Sequence, residues 1–550
     1  MNDPSPRKTR GWLALLPALL PALLFLVLVV SPPLNQDVAA VLSFAERMVA
    51  GEVLYSDLID VNPPLIFLLN LPAALLAAWT PLDAVQALLL LLLIFCGVVG
   101  WLCHRLNPPR GAAEAAMMLA LLPLVLLLAG YDFGQREQIM AAAALPYLFL
   151  AERRIEGAAA GPPVSPHVSL PGIGPVMTPP GMRWRASATR PGWAVVGATT
   201  LLAGVGFALK PHFLAVPALV EAVVLLAGAR RRGWAASFRD PVPWGLAGFW
   251  VFYLLVIFLG FPDYFGRVMP LVWDFYVDLG GTSWWQVLLT EQLFTAMLAT
   301  ASLVAMALWA GTRSLGWLPR VMAAAVLGGF LAALVQHKGW SYHVVPVWMW
   351  GGLLCGLAMA RATDALLPAG AASRVAPLLA TGTCIALTLL VMRGGEAPWR
   401  EFNYRKDAVG QLAEWLEKEA PDGRLLVLSP DIYPAYPALN YAENQPVLRF
   451  MSTWLLQAVY ATCPADGARF RAPEQMGPAE RYLFDGVAQD FAETPPVAVL
   501  VARDAHIAWC AGQPFDMVAY FSRHPRFAET WRHYRQTGEI AGYMLFERED

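Results

Sequence analysis

The stretch "YDFGQREQIM", residues 131–140, sets Asp132, Arg136 and Glu137 at the junction of two long apolar runs. A guanidinium flanked by carboxylates can hold an anion and place a proton acceptor beside it. Two other turns between apolar runs carry related groups: "LKPHF" with Lys210 and His212, and "QHKGWSYH" with His337, Lys338 and His343. Such cations and imidazoles suit a phosphate, because fixed donors stabilise a phosphoryl oxygen as it becomes a leaving group. A separate carboxylate, Asp37, follows the first apolar run and could act as general base on an acceptor hydroxyl. A phosphate-linked lipid with its sugar outside and its prenyl tail in the bilayer fits this set. Any one of these residues could equally be a helix cap or half of a local ion pair; their gathering on one face is what points to chemistry.

That gathering depends on how the apolar segments run. The chain has 550 residues, 57% hydrophobic and 15% charged, with apolar segments at 11–31, 83–104, 112–130, 137–152, 193–209, 212–228, 243–261, 290–311, 319–336, 343–361 and 374–393. This is a polytopic α-helical membrane protein. The net charge of −2 and the scattering of basic residues into short clusters speak against a nucleic-acid partner. Arg7, Lys8 and Arg10 before the long first run read as a retained signal anchor. One further segment, 63–79, is interrupted by Asn70 and Pro72. If it does not cross, the loops holding Arg105, Arg110, Arg153, Arg154, Arg230, Arg231, Arg232 and Arg361 share the side of the N-terminus. That is the cytoplasmic side by the positive-inside rule. The expectation is therefore about eleven crossings, a re-entrant or interfacial helix at 63–79, and a C-terminus outside. The cytoplasmic turns then carry little beyond arginine, and Glu221, inside a span, reads as a neutral or hydrogen-bonded packing residue.

The stretch 155–192, rich in Pro, Gly and Ser, reads as a cytoplasmic loop. Residues 1–393 form the transmembrane part; from 394 to 550 the composition changes to that of a small soluble α/β domain. A helix is expected at 407–420 and strands at 423–430, 496–504 and 542–550. Cys463 and Cys510 are the only cysteines of this external part, so an oxidising compartment would allow them to pair.

The first external loop, "NQDVAAVLSFAERMVAG" followed by "GEVLYSDLIDVNPPL" and a proline-led apolar helix, resembles the start of the GT-C membrane glycosyltransferases. The bacterial members related to protein mannosyltransferase and aminoarabinose transferase (glycosyltransferase 39-like) are nearest. The resemblance implies an inverting transferase that takes a sugar from a polyprenyl-phosphate donor to an acceptor hydroxyl of a cell-envelope glycan, lipid or protein. It would work in the bacterial inner membrane, with the C-terminal domain periplasmic. Asp37 matches the family's catalytic first-loop acid. Where the family often has a second acid, this chain has Gln36, so Asp132 and Glu137 are the candidates for that role. Arg136, Lys210, His212, His337, Lys338 and His343 are assigned to the donor phosphate by topology, and Tyr55, Asp57 and Asp60 to substrate positioning. The sugar, the acceptor and any need for a divalent cation stay open. Two other readings stand beside this one. A transporter or flippase of a lipid-linked glycan would place ionisable residues near the bilayer midplane, and a non-catalytic envelope assembly protein would bind without turnover.

Overall fold

The computed structural model describes residues 13–157, 191–311, 315–392, 403–421 and 423–549. Arg7, Lys8 and Arg10, and most of the 155–192 stretch, lie outside the described residues. Helix α1 (Leu16–Val30) ends before Asn35, whose side chain accepts from the Asp37 N–H at 2.9 Å and caps α2 (Gln36–Val49). An Asn in this position satisfies one of the donors that a helix start leaves open. Helix α2 is amphipathic and buries the run from Val38 to Ala45. It packs on α3 (Leu65–Trp79), with Phe44 stacked on Phe67 at 5.9 Å.

The two ends of α3 settle how it lies. Asn62, just before it, meets Arg136, while Asp83, just after it, lies within electrostatic reach of Glu46 on α2. Helix α2 itself lies along the C-terminal part of the chain: Asn440 donates to the Ala39 carbonyl at 3.0 Å and Arg47 to that of Leu448 at 2.7 Å. Helix α3 thus begins and ends beside α2 and does not join opposite poles of the bundle.

The bundle continues with α4 (Ala84–Leu106), α5 (Ala112–Leu127), α6 (Arg136–Gly157), α7 (Trp193–Ala208), α8 (Ala215–Arg232), α9 (Pro241–Gly260), α10 (Glu291–Trp309), α11 (Leu318–Val335), α12 (Val345–Leu366) and α13 (Ala369–Met392). Among the described residues, seven helices are long and apolar enough to cross a membrane, and four other apolar helices, α1, α3, α5 and α7, are shorter. Helix length alone therefore does not reach the eleven crossings expected from the sequence. Charge explains part of the gap: α6 spans 22 residues but carries Arg136 and Glu137 at one end and Glu152, Arg153, Arg154 and Glu156 at the other.

Helix α6 is buried on nearly all faces, so its charges need partners. At its C-terminal end Glu152 accepts from Arg361 at 2.7 and 2.9 Å, and Arg361 also donates to Glu114 at 2.8 Å and Asn107 at 3.0 Å. Alongside, Arg154 makes a two-pronged pair with Glu221 at 2.7 Å and reaches Asp240 at 2.8 Å, and Tyr147 donates to Glu221 at 2.7 Å. One expectation is corrected here: this pole carries a dense network of acids as well as arginines. Glu221 is hydrogen-bonded, as one of its two readings had it, but as half of an ion pair rather than as a neutral group, because α6 places a guanidinium against it.

In the C-terminal part, α14 (Ala408–Glu419) precedes β1 (Arg424–Leu428), α15 (Ala435–Tyr441), β2 (Gln445–Pro446), α16 (Pro478–Glu493), β3 (Ala498–Ala502), β4 (Tyr534–Ile540) and β5 (Tyr543–Arg548). The sheet order is β2-β1-β3-β5-β4, with β1 parallel to β2 and β3, and β5 antiparallel to β3 and β4. Alternation along the strands splits the core. Leu425, Leu500 and Leu545 face a core continuous with α14, α15 and the membrane helices. Leu426, Leu428, Val499 and Val501 face a second core with Phe484 and Phe491 of α16. Cys463 and Cys510 are joined as a disulfide.

The Arg361 network yields a test. Removing one partner of a buried ion pair strands the other, at about 3–5 kcal/mol. Arg361→Ala takes the only guanidinium paired with Glu114 among the described residues and leaves Glu152 with the partly exposed Arg110 at 2.9 Å, so thermal unfolding in detergent is expected to drop sharply, whereas Arg374→Ala at the exposed start of α13 leaves it unchanged. Equal melting of the two variants would contradict this account.

Candidate active site

Where α2 starts, a small amide network places two acids. Gln135 donates to Asn35 and to Asp37, each at 2.8 Å, and Asn35 donates to Asp132 at 3.1 Å. Neutral amides thereby tie Asp37 and Asp132 into one network. Gln36 accepts from the Tyr131 hydroxyl, which turns its amide away from pairing with Asp37.

Asp37 and Asp132 line a cavity of about 630 Å³ together with Asp60, Arg136, Lys338, Tyr276 and Tyr342. The C-terminal part closes it with Asp431, Trp454 and His506 among others. Asp60 accepts from the Asn62 backbone at 2.8 Å and from its side chain at 2.7 Å, and Asn62 in turn accepts from Arg136. Burial raises the Asp60 pKa, opposed by the Asn62 hydrogen bonds and the Arg136 charge. Tyr55, fully buried in a left-handed backbone conformation (φ 69°), donates to the Asn62 carbonyl at 2.6 Å and so braces this loop from behind.

The two cations of the cavity differ from the other buried ones. Lys338 sits 3.7 Å from the centre of the Tyr276 ring and donates to the Tyr276 carbonyl at 3.2 Å. Burial, then Lys210 and Arg136, lower its pKa to about 8, against the pull of Asp278. Among the described residues, neither Lys338 nor Arg136 forms a salt bridge with a carboxylate. Lys210, by contrast, is neutralised by Glu137 at 2.6 Å, also donates to Gln336 at 3.0 Å, and sits behind Tyr342, 5.5 Å from that ring.

The candidates picked from sequence therefore separate. Asp37, Asp60, Asp132, Arg136 and Lys338 share the cavity. Glu137 and Lys210 form the pair beneath it, near His212 and His343, whose rings are packed in rather than exposed to the cavity. His337 turns away (φ 37°) and approaches the Thr282 carbonyl at 3.2 Å. Asp57 is exposed and accepts from the Val53 N–H at 2.9 Å, an ordinary turn role. Reasoning from sequence missed Asn35, Gln135 and Asn62, amides with no charge to mark them, and the whole wall from the C-terminal part. Among the described residues no group of three or more His, Cys, Asp or Glu side chains is arranged to hold a metal ion.

No family model matches the chain, and no curated protein matches its sequence. Solved structures do match. A crystal structure of ArnT from Cupriavidus metallidurans bound to undecaprenyl phosphate superposes with a TM-score of 0.53 at 13% identity, covering 98% of each chain. The apo structure of the same protein gives 0.51 at 13% identity over the same 98% of each. At this identity the likeness is one of fold: the chain has the GT-C-like fold of an aminoarabinose transferase along nearly its whole length.

Proposed function

We propose that the chain is a membrane glycosyltransferase that moves a sugar from a polyprenyl-phosphate donor to an acceptor hydroxyl at the outer face of a bacterial inner membrane. The observation that carries this reading is the pair of cations, Arg136 and Lys338, that face the cavity with no salt-bridged carboxylate among the described residues, while Lys210 behind them is neutralised. A buried cation lacking its own counter-ion is a site for an anion. The polyprenyl phosphate bound by the ArnT structure of the same fold supports assigning a lipid phosphate to that place. The disulfide in the C-terminal part supports an oxidising compartment for it, hence a periplasmic position.

In this mechanism the acceptor hydroxyl attacks the anomeric carbon of the donor. Asp37 takes the hydroxyl proton as the new glycosidic bond forms. The bond from that carbon to the phosphate oxygen breaks on the opposite face, and its electron pair leaves with the phosphate, which inverts the anomeric centre. Arg136 and Lys338 stabilise the charge gathered on the phosphate oxygens. Gln135 keeps Asp37 aimed, and Asp60 holds Arg136 through Asn62. The Glu137–Lys210 pair sets the field from below and makes no contact with the substrate.

Two measurements test this. Asp37→Asn preserves shape and the Gln135 contact but removes the base, so kcat with an undecaprenyl-phosphate sugar is expected to fall about 10²-fold or more with donor binding retained; undiminished turnover would remove Asp37 from the mechanism. Lys338 is the pH-sensitive cation. Because its pKa is lowered to about 8, it is charged below that pH and loses its charge above it, so donor KM rises as pH passes through about 8. Lys338→Arg stays protonated and should carry the low KM to higher pH. A wild-type donor KM flat from pH 7 to 9 would contradict the assignment.

A further inference from the structure

The C-terminal sheet has a topological switch point. From β1 the chain moves to β2 on one side, then returns through α16 to β3 on the other side of β1. In open α/β sheets, ligands settle in the crevice outside the carboxyl ends of strands where the order divides in this way. Here the two loops that leave those ends, Ser429–Pro434 after β1 and Arg503–Ile507 after β3, meet through one contact. His506 Nδ1 lies 2.7 Å from Asp431 Oδ2. Both residues line the same 630 Å³ cavity as Asp37 and Arg136.

A surface ion pair of this kind would mean little by itself. This one is held in place from several directions. His506 adopts a left-handed backbone (φ 50°), with its N–H donated to Asp504 at 2.9 Å. The loop is tied four residues later by the Cys510–Cys463 disulfide. Ser429 closes the other loop, donating to the Asp431 carbonyl at 2.8 Å. The neighbouring wall is completed by Ser452, Gln457 and Trp454, whose ring packs on Tyr276 of the bundle at 5.3 Å.

The chemistry of this wall is unlike that of the bundle side. It offers a carboxylate, an imidazole, an amide, a hydroxyl and an indole face, and among the described residues those that the C-terminal part contributes to the cavity include no Lys or Arg. Such a surface is poor for phosphate. It is suited to a ring bearing adjacent hydroxyls, which a carboxylate and imidazole can bridge while an apolar ring face lies on an indole. We propose that the switch-point crevice is the acceptor subsite and that the acceptor is a carbohydrate, its vicinal hydroxyls bridged by Asp431 and His506. This rests on the glycosyltransferase reading: with the phosphate at Arg136 and Lys338, the wall of the cavity that offers hydroxyl-binding groups and no cation is left for the acceptor.

The test uses the purified full-length chain and two separate probes. Saturation-transfer NMR is recorded with the methyl glycosides of glucose, galactose, mannose and N-acetylglucosamine, and undecaprenyl phosphate binding is measured on the same preparations. At least one glycoside is expected to bind the wild type, and Asp431→Asn and His506→Gln should each weaken it about tenfold, the size of one lost hydrogen bond. Undecaprenyl phosphate binding should stay unchanged in both variants, and Asp504→Ala, which removes the acceptor of the His506 N–H, tests whether disturbing the loop alone has the same effect. The proposal is overturned if no glycoside binds the wild type, if both variants bind like wild type, or if Asp504→Ala weakens binding as much as they do. Wild type that binds a glycoside but no undecaprenyl phosphate would instead overturn the donor assignment and leave the carbohydrate crevice standing.

Discussion

The cost of burying charge governs this molecule. Helix α6 runs through the middle of the bundle with ionised groups at both ends, and each end is stable because other helices bring counter-charges to it. At the Glu152 end the compensation is complete and reciprocal. Arg361 is shared between Glu114 and Glu152, and Arg154 between Glu221 and Asp240. At the Arg136 end it is partial. Glu137 bonds Lys210, and Arg136 hydrogen-bonds the neutral oxygen of Asn62 with Glu137 and Asp37 within electrostatic reach but not in a salt bridge. One pole of the helix is thus a structural lock and the other a place where outside charge is welcome. The difference is made by which partner each residue reaches rather than by the residue types.

Apolar packing and two hydrogen bonds fix where the C-terminal part sits. Its helices α14 and α15 share a core with the membrane helices, and Arg47 and Asn440 stitch α2 to it. The sheet is therefore fixed over the unbalanced pole, with the carboxyl ends of β1 and β3 toward the cavity. The helix bundle provides Asp37 and Arg136 at helix starts and Lys338 from a turn. A parallel sheet edge provides loops that can vary in shape. The cavity between them combines both kinds of wall.

Much of this was legible in the sequence, and the limit falls at a definite place. Periodicity and the proline interruptions of 63–79 marked α3 as different, and the apolar runs located the helices to within a few residues. Asp37, Asp132 and Arg136 were visible because charge at a span end is conspicuous. What could not be read was which ends meet. Lys210 looked like a phosphate contact until its distance to Glu137, 73 positions away in sequence, was known. His337 lies next to Lys338 yet faces elsewhere, because one left-handed residue reverses the direction of the turn. The strands β1 and β3 were expected, but nothing in their composition says that their loops would close a cavity begun some 400 residues earlier.

The stitching of α2 to the C-terminal part also bears on how the protein is made. Asp37 and Asp60 leave the ribosome early, while Asp431 and His506 leave it only after every bundle helix has been synthesised. Helix α2 must then wait with its Arg47 paired only to Glu52 and its Ala39 carbonyl without the Asn440 amide until α15 and the Leu448 segment arrive. The cavity is consequently a product of the last stage of synthesis: a half-made chain already inserted in the membrane holds Asp37, Arg136 and Lys338 but has no enclosed chamber around them.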